Sequence, residues 1–354
     1  MPFPRGIPAS YLRATRDAVM DHHALPALDW HSFLTTWELR PGWLIFCAVL
    51  LGAYGFGLYA AARRGHRSVS SVRVCCFVLG VVILAVCMSS AVDAYAMSLF
   101  WMHMIEHLTL ITLVPALLVL GHPLTVLRSA GGPEWQRVFD AAMHSLPVSV
   151  VTHPLVGLVA YGVVVFYTHL TPFMDQMASD PDLMLVEQLA YLGSGAWLLL
   201  ATIGEEPIRW RTPYLMRLVV LVMAMIPDTL VGIVLLQTPD DPIPTYMAMR
   251  PSWAPSPMHD LDVGGSLMWA AGDGLMMCLA VGLMVSLLAG ATRDRFLGDW
   301  LEGVRTSTFV THAERSGVQV TRPTGRIDED ENALAAYNEM LARLRSGHDE
   351  TGRD

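Results

Sequence analysis

Lysine is absent from this chain of 354 residues, and all 23 basic residues are therefore arginine. Retinal proteins bind their chromophore through a lysine amine as a Schiff base, so the absence of lysine excludes that class of membrane protein. Charged residues make up 16% of the chain, whereas soluble domains carry about 25%. Together with 53% hydrophobic residues, this deficit predicts an integral membrane protein rather than a soluble enzyme.

Other familiar signatures are missing as well. The sequence contains no P-loop, HExxH, GxSxG or dinucleotide-binding motif, so a hydrolase or an NTPase has no support. No CxxC pair occurs, which argues against a cysteine metal site. A net charge of −9 gives no indication of nucleic-acid binding. Residues 1–41 lack the apolar core of a cleavable signal peptide, so the first apolar block is expected to serve as the insertion signal.

Seven apolar blocks of roughly 20 residues are the main feature of the chain, and each is about as long as a helix that crosses a hydrocarbon core of about 30 Å. They predict an all-α, polytopic membrane bundle of about seven transmembrane helices. The block at 72–121 is too long for one helix, and we expect it to break near Asp93. The predicted spans are 42–62, 72–92, 100–121, 150–169, 183–203, 215–236 and 266–290.

Arginine is concentrated in alternate connections, which follow the first, third, fifth and seventh spans. By the positive-inside rule these connections face the cytoplasm, in a multi-pass protein of the plasma membrane. The predicted domains are an extracytoplasmic N-terminal tail at 1–41, a transmembrane domain at 42–292 and a cytoplasmic tail at 293–354. A single apolar stripe in that tail predicts a short amphipathic helix at 330–345, which would dock on the protein's own loops or bind a partner.

Ionisable residues concentrate at the end of the bundle that is predicted to face outward. His103 and His107 lie four residues apart and share one face of the third span, with Glu106 beside them. His169 ends the fourth span, and Glu187 lies within the first turns of the fifth. Ionisable groups at membrane depth are costly, so by default they indicate a functional site.

Copper is the metal that this mixture of side chains suits, because imidazole and thioether groups are ligands of copper ions. We expect transient binding by the histidines, with the glutamate behind them. The alternative is that these histidines have a structural role, since an intramembrane histidine often forms hydrogen bonds between helices. The candidate metal-site residues are His103, His107, His169, Met104, Glu187 and Asp260.

Two other functions are compatible with this pattern. A transporter for copper or another small solute would use Glu187, Asp228 and Asp273 to line a path through the bundle, and the same acids with Asp93 would form a proton path. A b-type haem protein would use histidines as axial ligands. Because two histidines on one helix cannot hold opposite faces of one haem, a second helix would have to supply the other ligand.

Five segments resemble, in order, segments of the CtaG-type cytochrome c oxidase assembly proteins, over roughly residues 30–345. The ordered set is more specific than any single segment, and the last is similar to the tail helix of actinobacterial members. The segments are FLTTWELRPGWLI at 33–45, WMHMIEHLTLITLVPALLVLGHPLTVL at 101–127, YTHLTPFMD at 167–175, MHDLDVGGSLMWAAGD at 258–273 and ALAAYNEMLARL at 333–344.

The resemblance implies an assembly factor rather than an enzyme, one that assists copper delivery or insertion into a haem–copper oxidase. It also implies contacts with oxidase subunits and copper chaperones, besides membrane lipid. His103 and His107 match the family's paired histidines, and His169 matches its fourth-helix histidine. Glu187 matches its fifth-helix acid, and Asp260 and Asp273 match its carboxylates around a glycine pair.

Two positions depart from the family's pattern. Gln188 stands where the family has a histidine after its acid, and Leu261 stands where it has a glutamine. An amide cannot replace imidazole as a copper ligand. The departures therefore predict a divergent paralogue with weakened metal binding or a different oxidase client.

Overall fold

The structure is a computed structural model, and it describes most of the chain between residues 25 and 293. The described residues are 25–65, 69–178, 180–210, 212–238, 243–244, 250–293, 304, 306–308, 310, 334–335 and 337–338. The predicted tail helix at 330–345 lies almost entirely outside them. The chain divides into two compact units, Met1–Leu283 and Met284–Asp354, and every residue of the site described below belongs to the first.

Helices form the whole architecture, and no strand occurs among the described residues. The all-α prediction is therefore confirmed. A π-helical segment, Thr109–Leu113, joins α5 to α6 without a break. The helices are α1 (Trp30–Thr35), α2 (Pro41–Arg63), α3 (Ser71–Cys87), α4 (Ala91–Ala96), α5 (Phe100–Leu108), α6 (Val114–Leu120), α7 (Pro123–Ser129), α8 (Pro133–Met143), α9 (Leu146–Val151), α10 (Pro154–Leu170), α11 (Phe173–Met177), α12 (Pro181–Thr202), α13 (Tyr214–Gln237) and α14 (Pro257–Arg293).

Five helical stretches in the described part of the chain are long and apolar enough to cross a membrane, which confirms a polytopic membrane bundle. Two more of the predicted spans correspond to shorter apolar helices, α3 and α10, each of 17 residues. The total of seven spans and the positions of the termini stay predictions. The five long stretches are Pro41–Arg63, Phe100–Ser129, Pro181–Thr202, Tyr214–Gln237 and Pro257–Leu288.

Two predicted boundaries need correction. The last span was expected to begin at 266, but α14 begins at Pro257. Proline at the first position and Asp260 in the first turn both favour a helix start, which explains the earlier beginning. The fourth span is interrupted at His153, because proline at position 154 disfavours a helical conformation in the residue before it.

The glycine pair of α14 lies inside the helix and allows neighbouring elements to approach closely. A side chain at Gly264 would overlap the ring of Phe100, and one at Gly265 would lie 3.1 Å from the carbonyl oxygen of Gly232. Small residues commonly serve this purpose between membrane helices. Helix α14 therefore packs against both the start of α5 and the C-terminal part of α13.

The π-helical segment has a local cause and a tertiary partner. Pro115 has no N–H, so the carbonyl of Ile111, four residues earlier, loses its usual helical partner. That carbonyl lies against Gly195 of α12, where any β-carbon would overlap it. The contact brings α12 directly against the segment that follows His107, and so sets the register of α12 beside α5.

Candidate metal centre

A buried cluster of three ionisable side chains lies between α5 and α12. His103 and His107 are one turn apart on α5, with ring centroids 4.1 Å apart. Glu187 of α12 faces both of them: its Oε2 lies 3.4 Å from Nε2 of His103, and its Oε1 lies 3.5 Å from Nε2 of His107. We call these three residues the His–Glu cluster.

The geometry of the His–Glu cluster fits a metal ion. Its three donor atoms all lie within 4.8 Å of one another. Two ligands bound to one ion at about 2.0–2.1 Å in tetrahedral geometry are separated by about 3.4 Å, which matches the contacts with the glutamate. Both carboxylate oxygens of Glu187 are buried and face imidazole nitrogens at 3.4 and 3.5 Å, which is long for a hydrogen bond. A buried carboxylate with such weak partners is costly, and a coordinated cation would lower that cost.

His169 of α10 lies beside the cluster, with its ring centroid 5.3 Å from that of His107. Its Nδ1 lies 3.1 Å from the carbonyl oxygen of Val165, which can only accept, so Nδ1 carries the proton. Nε2 is then the free donor atom, and it is buried with no hydrogen-bond partner among the described residues. A backbone bond that sets the tautomer in this way is typical of metal-binding histidines.

Tyr191 of α12 links His107 to His169. Its ring stacks on His107 with centroids 3.9 Å apart, and its hydroxyl lies 3.2 Å from Nδ1 of His169. The hydroxyl also lies 2.8 Å from that of Thr168. Tyr191 was not predicted as a site residue, although it follows Glu187 by four residues and therefore shares its helix face.

Two of the expected site residues lie elsewhere. Asp260 caps α5: its carboxylate accepts hydrogen bonds from the backbone N–H groups of Phe100 and Trp101, at 3.0 and 3.1 Å. Arg250 lies 3.6 Å from the same carboxylate. Met104 packs in the hydrophobic core, close to Gly264. A residue next to His103 in a helix points about 100° away from it, which explains why Met104 faces α14 rather than α12. Glu187, expected behind the ligands, contacts the histidines directly.

Gln188 takes part in a second polar network beside the cluster. Its Nε2 lies 2.7 Å from Oε1 of Glu106 and 3.4 Å from Oδ1 of Asp93. Nε1 of Trp43 donates to the oxygen of Gln188 over 3.2 Å. Arg40 pairs with Asp93 at 2.8 Å. Burial raises the pKa of Asp93, and the guanidinium of Arg40 opposes that rise.

Two further carboxylates lie on α13 and α14. Asp228 of α13 is buried and accepts a hydrogen bond of 2.7 Å from the hydroxyl of Tyr161. Asp273 of α14 accepts a bond of the same length from Thr229. The structure therefore does not bring these acids into the His–Glu cluster.

Comparison with known proteins decides the family. The family model of the cytochrome c oxidase caa3 assembly factor (Caa3_CtaG) matches residues 52–289. The chain belongs to this family. The match includes the complete His–Glu cluster and confirms the resemblance found in the sequence.

Mycobacterial relatives extend the comparison. An uncharacterized protein of Mycobacterium leprae is 28% identical over 266 residues, which cover 71% of this chain and 39% of the relative. An uncharacterized protein of Mycobacterium bovis is 27% identical over 326 residues, covering 88% of this chain and 45% of the relative. The chain thus spans less than half the length of these curated relatives. No solved structure matches it.

Proposed function

We propose that this protein assists the assembly of a cytochrome c oxidase by holding a copper ion and passing it to the oxidase. Membership of the caa3 assembly factor family supports the oxidase as the client. The observation that carries the copper part is the contact of both histidine Nε2 atoms with the carboxylate of Glu187, at 3.4 and 3.5 Å. Three donor atoms converge on one point that a single ion would fill.

The donor set favours the cupric ion. Imidazole nitrogen and carboxylate oxygen suit divalent first-row metals, and affinity generally rises from Mn²⁺ to Cu²⁺ before falling at Zn²⁺. The three members of the cluster offer only imidazole and carboxylate donors, whereas the cuprous ion favours thioether and thiolate ligands. His169 adds a fourth donor if its ring moves toward His107, which would complete a tetrahedral or tetragonal site.

The role is transport of cargo between proteins rather than catalysis. In the plasma membrane, a copper chaperone would load the His–Glu cluster, and oxidase subunits would take the ion from it. The buried position of the cluster excludes competing water from the ligands. Release then requires the client to supply ligands of its own.

Metal titration tests the proposal directly. Purified protein should bind one Cu²⁺ per chain and bind Zn²⁺ more weakly, and His103→Ala and His107→Ala should each lose most of the affinity. His153→Ala is the matched control, because it also removes one imidazole. His153 precedes α10 and does not belong to the cluster. Unchanged Cu²⁺ affinity in both cluster variants would contradict the proposed site.

A genetic experiment tests the client. Deletion of the gene, followed by measurement of haem and copper in membrane-bound oxidase, should show loss of copper with haem retained. Complementation with the His103→Ala variant should leave oxidase copper low, whereas His153→Ala should restore it. Full oxidase copper in the deletion strain would contradict delivery.

A second candidate is a transporter for copper or another small solute. The observation in its favour is a second set of acids apart from the His–Glu cluster, the buried Asp228 and the partly buried Asp273. Uptake of ⁶⁴Cu into proteoliposomes separates the two functions, because an assembly factor should move no ion across the bilayer. A b-type haem site has less support: it would need a histidine of α5 opposite one from another helix, and both α5 histidines instead face Glu187 through Nε2. A Soret band in the purified protein would reveal one.

A further inference from the structure

A row of polar side chains leads from the rim of the bundle toward the His–Glu cluster. It begins at Arg40, which precedes α2 and whose side chain is 39% exposed. Arg40 contacts the exposed Glu38 at 3.7 Å and the buried Asp93 at 2.8 Å. An arginine at the start of a membrane helix is expected at the water boundary, so the row opens to solvent at this end.

Gln188 occupies the middle of the row. Its amide nitrogen donates to Asp93 on one side and to Glu106 on the other. Its amide oxygen accepts from Nε1 of Trp43, so both ends of the amide are held. An NH₂ group between two carboxylates occupies the place that a cation would otherwise take.

Glu106 completes the row at the cluster. It is 1% exposed and directly precedes His107 in α5, as Glu187 directly precedes Gln188 in α12. The second oxygen of Glu106 is buried and has no hydrogen-bond partner among the described residues. Glu106 lies close enough to Glu187 for their charges to interact, so the row reaches the His–Glu cluster at this end.

The charges of the row favour passage of a cation. It contains the acidic side chains of Asp93 and Glu106, and Glu187 follows in the cluster, whereas Arg40, its permanent cation, pairs with Asp93. Buried negative charge without a matching cation is costly, and a channel lined with acids in a low-dielectric setting concentrates cations. Arg40 and the Gln188 amide are two groups that an entering ion can displace.

We propose that Arg40, Asp93, Gln188 and Glu106 form the inlet through which a metal cation reaches the His–Glu cluster, with the Gln188 amide as its gate. This inference rests on the proposed metal binding by the cluster. The inlet explains why an amide stands beside Glu187: an amide gives way to a cation, whereas a further imidazole would bind and retain it. Rotation of the Gln188 side chain frees both carboxylates to pass the ion on.

The test measures rates rather than affinity, since an inlet changes how fast the ion enters and leaves but not how tightly the cluster binds it. Cu²⁺ association with the purified full-length protein is followed by stopped flow, and dissociation by extraction with excess EDTA. Asp93→Asn should slow association by roughly 10-fold or more and slow dissociation with it, so that Kd changes less than either rate. Gln188→Ala should raise both rates together.

The matched control is Asp182→Asn, which removes one negative charge from an exposed position on α12, the helix of Gln188. It should leave both rates unchanged. Should Asp93→Asn fail to fold, Arg40→Gln at the rim supplies the same test, because removal of the displaceable guanidinium should speed association.

The outcomes separate this inference from the proposed function. If the wild-type protein binds no copper, both are overturned. If it binds copper while Asp93→Asn, Gln188→Ala and Arg40→Gln leave the rates of entry and exit unchanged, the inlet alone is overturned. A change in Kd with unchanged association would make these residues part of the site rather than a route to it, and would also overturn the inlet.

Discussion

The Oε2 atom of Glu187 lies 3.4 Å from Nε2 of His103, across the interface between α12 and α5. Both groups are almost completely buried, so the contact lies in a low-dielectric interior. Its consequence is that the carboxylate belongs with the histidines as a ligand candidate rather than behind them.

Replacing Glu187 by glutamine keeps the size of the side chain and removes its charge. We expect Cu²⁺ affinity to fall by roughly 10- to 100-fold or more, since even groups that only support metal ligands have effects of that size. Isothermal titration measures the change. Glu134→Gln, an exposed glutamate of α8, is the control and should bind as the wild type does. Equal affinity in the two variants would show that the carboxylate takes no part in binding.

Tyr191 should act by positioning the histidines. Tyr191→Phe keeps the ring that stacks on His107 and loses only the hydroxyl near His169. Its copper affinity should therefore fall by less than about tenfold. Tyr191→Ala removes both contacts and should weaken binding by more than about tenfold. Comparison of the two affinities and of the Cu²⁺ electron paramagnetic resonance spectra checks this. Identical affinities and spectra would mean that stacking does not orient His107.

Asp260 should contribute to stability rather than to binding chemistry. Asp260→Ala removes the acceptor of two backbone N–H groups at the start of α5 and leaves the mostly buried Arg250 without its carboxylate. Loss of one partner of a buried pair costs about 3–5 kcal/mol, so the free energy of unfolding should fall by that order. The exposed Asp262 supplies the control, because Asp262→Ala should change the free energy of unfolding little. A stable Asp260→Ala protein that has lost copper binding would instead support a ligand role.

Two glycines of α12 offer a sharp comparison. A β-carbon at Gly195 would overlap the carbonyl of Ile111, whereas one at Gly193 would meet no atom within 4 Å. Gly195→Ala should therefore destabilise the protein by about 1–3 kcal/mol through overpacking. Gly193→Ala should be neutral or stabilising by up to about 1 kcal/mol. Thermal unfolding in detergent distinguishes them, and equal melting temperatures would argue against close contact between α12 and the π-helical segment.

Local sequence determined much of the fold. Hydropathy summed over about 20 residues is a property of each segment alone, and for this reason the apolar blocks predicted the membrane helices within a few residues in most cases. The pairing of His103 with His107 also follows from helix geometry, since residues four apart share a face. The beginning of α14 was missed because His259, Asp260 and Asp262 look like loop residues, although acids are favourable in the first turn of a helix.

The tertiary structure alone decided which distant residues meet. Glu187 is 80 residues or more from both histidines, and no local pattern sets the rotation of α12 about its axis. That rotation depends on the contact between Gly195 and Ile111 and on the packing of neighbouring helices. It brings Glu187 and Tyr191 to the histidines and turns Gln188 toward Glu106. The sequence could therefore name the ionisable residues of the bundle, whereas only helix packing separated the members of the cluster from Asp260 and Met104.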